Sequence, residues 1–108
     1  MRSHPEIDAR SLELHRLIAE KVRREPALLD RVRSTLERWR DPGNPSRSDP
    51  YLAEWERVMA QGLERLLATA VEESERAAAL RQCSPFAGIL TPAERFAFLK
   101  AWATRHAS

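Results

Sequence analysis

Cysteine occurs once, at Cys83, so this 108-residue chain cannot close a disulfide within itself. The small secreted domains held together by disulfides are therefore excluded. Glycine occurs three times, at the isolated positions Gly43, Gly62 and Gly88, which rules out a glycine-rich phosphate loop. Ile and Val are sparse beside Ala and Leu, and β-branched residues are what a sheet is normally built from. No apolar run approaches the roughly 20 residues that cross a bilayer. The polar stretch from Met1 to Arg10 has no apolar signal core, so the chain reads as cytoplasmic, with no membrane partner. Charge of one sign is also lacking. The net charge is +2, and the pI near 9.2 reflects a small imbalance rather than a basic field, so nucleic acid is possible but not favoured.

What is present is helix-forming. Hydrophobic residues make up 43% of the chain and charged residues, mostly Arg and Glu, 31%, and these types lose little side-chain freedom in a helix. The periodicity predicts a first helix from His4 or Asp8 to Arg24, opened by the S-x-x-E box at Ser3–Glu6 and carrying Leu14, Leu17, Ile18 and Val22 on one face. Pro26 opens a second helix with Leu29, Val32, Leu36 and Trp39 on its stripe. Residues 41–50 hold three of the seven prolines and form a loop. A third helix, capped at Ser48 or Asp49, presents Tyr51, Trp55, Val58 and Met59, then kinks or breaks at Gly62 before Leu63, Leu66, Leu67 and Val71. An alanine-rich helix runs from about Ser74 to Gln82. Thr91-Pro-Ala-Glu94 starts the last helix as a capping box, with Phe96, Leu99 and Trp102 as its inner stripe and Phe98 beside it. The expectation is a single all-α domain over residues 1–108, a compact bundle of five to six short helices. All three tryptophans are expected to meet in its core, unless one serves as an interface anchor.

No constellation carries chemistry with any strength. His4, His15 and His106 share no ligand spacing, and Glu72, Glu73 and Glu75 point different ways around a helix, so neither a metal nor another cofactor is expected. No nucleophile elbow is present, and Cys83 has no base near it in sequence. Arg10 and His15 resemble the R-x4-6-H signature of the higher-eukaryote-and-prokaryote nucleotide-binding (HEPN) ribonucleases, which would make His15 an acid/base and Arg10 a phosphate clamp. The chain departs from that family by carrying Ser11 after the Arg and by placing the motif in its first helix. The basic residues Arg31, Arg33, Arg38 and Arg40 follow a short joint as a DNA-reading helix would, yet Asp30, Glu37 and Asp41 lie among them, which suits intrahelical pairing better.

The most distinctive string is SERAAALRQCSPFAGILTPAERFAFLKAW, residues 74–102. It resembles the C-terminal signature of a group of small bacterial helical proteins, with the pattern L-R-Q-x-S-P-F-A-G-[VI]-L-[ST]-P-x-E-R. The Leu-rich first helix, the PALLDRVRSTLERW stretch and the Tyr51–Trp55 region are also similar to that group. The resemblance implies an antitoxin-like protein that binds the product of a neighbouring toxin gene. Carried over by position, it assigns partner binding to Arg81, Pro85, Phe86, Gly88 and Arg95. The plainer reading of the same residues is that Pro85, Gly88 and Pro92 shape a turn, Phe86 fills the core and Arg95 pairs locally. The expected function is thus non-enzymatic binding of another protein. DNA-binding regulation through the Arg31–Arg40 helix and a HEPN-like ribonuclease are the alternatives.

Overall fold

A computed structural model describes residues 5–107, and the proposed Ser3 cap and His4 lie outside them. The described residues form six α-helices and no strand: α1 (Pro5–Arg24), α2 (Leu29–Trp39), α3 (Asp49–Met59), α4 (Leu63–Ala70), α5 (Glu75–Gln82) and α6 (Pro92–Arg105). This is the all-α bundle that the composition calls for. One 3-10 turn, Pro26–Leu28, makes the corner between α1 and α2, because Pro26 cannot donate the bond that would continue α1. Gly62 breaks the chain between α3 and α4 outright, at φ 108°, where a side chain is strained.

The core draws Ile18, Ala19 and Val22 from α1, Val32 and Leu36 from α2, Leu52, Trp55 and Val58 from α3, and Leu66, Leu67 and Ala70 from α4. Leu80 of α5 joins them, as do Phe86 and Ile89 from the non-helical connection before α6. Trp55 is the largest fully buried side chain among the described residues, and its indole N–H is satisfied by the Leu80 carbonyl at 2.9 Å, which ties α3 to α5. Phe86 stands edge-on to Trp55, with centroids 5.5 Å apart and planes at 82°. That is a preferred geometry for aromatic pairs.

Two expectations about the aromatics need correction. Only Trp55 of the three tryptophans belongs to the central core. Trp39, at the end of α2, is 38% exposed, and Trp102 is buried apart from the core, stacked with Phe98 and His106 of its own helix. The inner stripe of α6 is also rotated from the expected one. Phe96 is 67% exposed and Leu99 36%, whereas Glu94, Phe98 and Trp102, spaced i, i+4, i+8, form the inward row. Glu94 sets this rotation. Its carboxylate accepts from the Thr91 backbone N–H at 2.7 Å, completing the capping box, and pairs with Lys21 of α1 at 2.6 Å. The Lys21 ammonium also donates to the Ile89 carbonyl at 2.9 Å, so one cation pins both the connection and the start of α6.

The loop after α2 is held by its own polar groups. Gly43 donates to the Asp41 side chain at 2.9 Å, and Arg40 donates to the Asp49 carbonyl at 3.2 Å. The first is the local side-chain bond that Asp forms where helix is forbidden.

Truncating Phe86 to alanine leaves a cavity between Trp55 and α1. The expected loss is about 3–5 kcal/mol of unfolding free energy, read from the shift of a urea denaturation midpoint. An equally large loss for Phe96→Ala would contradict the rotation of α6 described above.

Candidate docking cleft

The segment from Ser84 to Leu90 is where the chain must turn from α5 to α6, and it turns with its apolar side chains inward. Pro85, Phe86 and Ile89 are buried, while Ala87 and Gly88, the latter at φ 86°, form the exposed tip. The turn is fastened to α1 through His15. The ring Nδ1–H donates to the Ser11 carbonyl at 2.7 Å, so Nε2 is the acceptor for the Ser84 hydroxyl, also at 2.7 Å. Ser84 Oγ in turn accepts from the Phe86 N–H at 3.2 Å, and the Phe86 ring meets the imidazole edge-on at 5.8 Å.

A serine hydroxyl on an oriented histidine has the connectivity of a nucleophile and its base. The electrostatics do not suit that use. Burial pushes the His15 pKa from 6.5 down to about 4, and the positive Arg81 lowers it further against the opposing Ser11 bond. An imidazolium is therefore disfavoured, and both ring nitrogens are already engaged. His15 fixes the turn; it does not present a free acid or base to the cleft beside it.

That cleft, of about 420 Å³, lies between the first half of α1, the α5–α6 turn and the outer side of α6. Arg10, Arg81 and Arg95 line it together with Asp8. Ile7, Leu14, Phe98 and Leu99 supply its apolar wall. Arg81 is 6% exposed, and its Nη1 donates to the Ala70 and Glu72 carbonyls at 3.1 and 2.9 Å. It thereby closes the C-terminal end of α4, where carbonyls lack helical partners. Its Nε is buried without a hydrogen-bond partner among the described residues. Desolvation lowers the Arg81 pKa; nearby Asp8 opposes that shift and Arg16 adds to it.

The five residues assigned to partner binding thus separate. Pro85 and Phe86 are interior and shape the turn. Gly88 sits at the exposed tip, Arg95 is exposed on the cleft wall and Arg81 lies beneath it. Arg10 and His15 do line one cleft, but only Arg10 is exposed. On α2, Arg33 pairs with Asp30 at 2.8 Å and Arg40 with Glu56 at 3.6 Å, while Arg31 and Arg38 make no ion pair among the described residues. No group of three or more His, Cys, Asp or Glu side chains converges as metal ligands among the described residues. None of the described helices is long and apolar enough to cross a membrane.

No known protein family, curated protein or solved structure matches the chain.

The His15–Ser84 fastening was not legible from sequence, because the two residues are 69 positions apart. The one available signal was a serine opening an otherwise apolar connection.

The neutral, buried His15 makes stability depend on pH with a definite sign. An unfolded chain takes up a proton near pH 6.5, whereas the folded one resists until about pH 4. The contribution of this group is complete above pH 6.5 and is lost as pH falls toward 4, by up to about 3 kcal/mol. Urea midpoints measured across that window should fall, and His15→Gln should flatten the slope. A slope unchanged in the variant would assign the effect to other groups.

Proposed function

We propose that the protein is a binding module for another protein, docking through this cleft and the adjoining outer face of α6, and that it serves as the antitoxin-like member of a toxin–antitoxin pair. The observation that carries the reading is the set of large apolar side chains left in solvent at the cleft and beside it on α6: Ile7 at 50% exposure and Leu99 line the cleft with half-buried Phe98, and exposed Phe96 lies one turn before Leu99 on the same helix. Scattered exposed apolar residues need no explanation, but several on one rim mark a contact surface. Aromatic anchors ringed by arginine have the composition of an interface hot spot. Binding of this kind needs no chemistry from the module itself. An antitoxin that neutralises its target by covering it would use such a face. The resemblance of residues 74–102 to small bacterial helical proteins points the same way.

A second reading, DNA binding through α2, draws on Arg31 and Arg38, which line one shallow pocket with the exposed Gly88 tip and make no ion pair among the described residues. Two free arginines on a helix whose other pair is neutralised make a weak phosphate face, so the protein-binding reading is preferred.

The test is affinity capture from the native host with the tagged wild-type chain and a Phe96→Ser/Leu99→Ser double variant. Wild type should retain one stoichiometric protein, and the variant should lose it by tenfold or more at an unchanged thermal midpoint. Recovery of nucleic acid in place of a protein, or equal capture by the variant, would overturn the reading.

A further inference from the structure

The cleft has a chemical bias that the apolar rim alone does not explain. Three guanidinium groups, from Arg10, Arg81 and Arg95, share it with a single carboxylate, Asp8. None of the three makes an ion pair among the described residues, although Arg16, about two turns along α1 from Arg10, is paired with both Glu13 and Glu73. Arg81 is the most telling. Its Nη1 is committed to two carbonyls, yet Nε, buried under the cleft wall, has no partner among the described residues. A buried polar atom left unsatisfied is costly and uncommon. The Nε–Nη2 edge of a guanidinium is one that a carboxylate takes through two parallel hydrogen bonds. Beside it, Leu14, Phe98 and Leu99 form an apolar wall.

We propose that the cleft receives an acidic, apolar-flanked segment of the partner protein, with an Asp or Glu carboxylate on Arg81, Arg10 and Arg95 guarding the mouth, and a neighbouring Leu or Phe side chain against Leu14, Phe98 and Leu99. This rests on the protein-binding reading above. Its size and composition select a peptide over a nucleic-acid backbone. The cleft holds about 420 Å³, and its wall of Leu14, Phe98 and Leu99 suits an apolar side chain while offering a run of phosphates no hydrogen-bond donor. Asp8 is the built-in competitor. It is the acidic group on the cleft and acts electrostatically on Arg81 without forming an ion pair with it.

The experiment is selection of random displayed peptides on the immobilised full-length protein, followed by titration of the winning synthetic peptides into ¹⁵N-labelled protein. Peptides with an Asp or Glu next to Leu, Phe or Trp should be enriched, and should shift the amides of residues 7–15 and 94–99. Replacing the acid by its amide should weaken binding at least tenfold, as should Arg10→Gln/Arg95→Gln, whose positions are exposed and outside the core. Asp8→Asn should tighten binding severalfold. Arg81→Lys keeps the charge but removes the forked edge, and should weaken binding if the variant retains its fold. Enriched peptides without an acid, acidic peptides bound equally by the Arg10/Arg95 variant, or shifts mapping elsewhere would overturn this inference while leaving protein docking in place. No enrichment and no shift with any peptide would overturn both.

Discussion

The placement of the α5–α6 turn depends on one buried contact, the Phe86 ring held edge-on between Trp55 and His15. Trp55 belongs to α3 and His15 to α1, so a single side chain from a non-helical segment bridges two helices that also frame the core. Each edge-on aromatic pair adds about 0.5–1.5 kcal/mol beyond the area it buries. The geometric effect is larger than that figure implies. With Phe86 seated, Ser84 falls within reach of His15, the Ile89 carbonyl falls within reach of Lys21, and the tip at Gly88 faces outward. The turn is rigid on its inner side and bare on its outer side. A contact surface needs that combination, because partner binding then costs little ordering of the backbone.

Polar groups complete the arrangement by a division of labour. His15 is held neutral and serves as a strut. Lys21 pairs with Glu94, whose pKa is drawn down to about 2, first by the Lys21 hydrogen bond and then by the Thr91 backbone N–H. Arg81 supports the end of α4 from below while facing the cleft. Of these three residues only Arg81 brings a charge to the cleft, where Arg10 and Arg95 on its wall supply the rest of the positive bias.

The helix count, the breaks at Pro26 and Gly62, and the Thr91–Glu94 cap were legible because they rest on local rules: residue propensity, missing donors and short-range capping. The rotation of α6 was not. Phe96, Leu99 and Trp102 satisfy helical spacing as well as Glu94, Phe98 and Trp102 do, and the choice is made by an ion pair to a lysine 73 positions earlier. Trp39 was misplaced for a related reason. Hydrophobicity predicts that a tryptophan seeks cover, but Trp39, at the last turn of α2, remains 38% exposed. Of the cleft, sequence pointed to Arg81 and Arg95 through the resemblance and to Arg10 through a ribonuclease-like spacing. That these three arginines converge is a tertiary fact.

α6 contributes no side chain to the central core, and it is fastened at its first turn by Lys21 and Glu94. Its outward residues are consequently decoupled from the folding equilibrium of the other five helices. In an ordinary bundle, a change of specificity must be reconciled with packing at almost every position. Here, Arg95, Phe96 and Leu99 can be exchanged for other side chains with little effect on whether the chain folds. One face of one helix is thus free to vary in sequence, while selection on stability acts elsewhere.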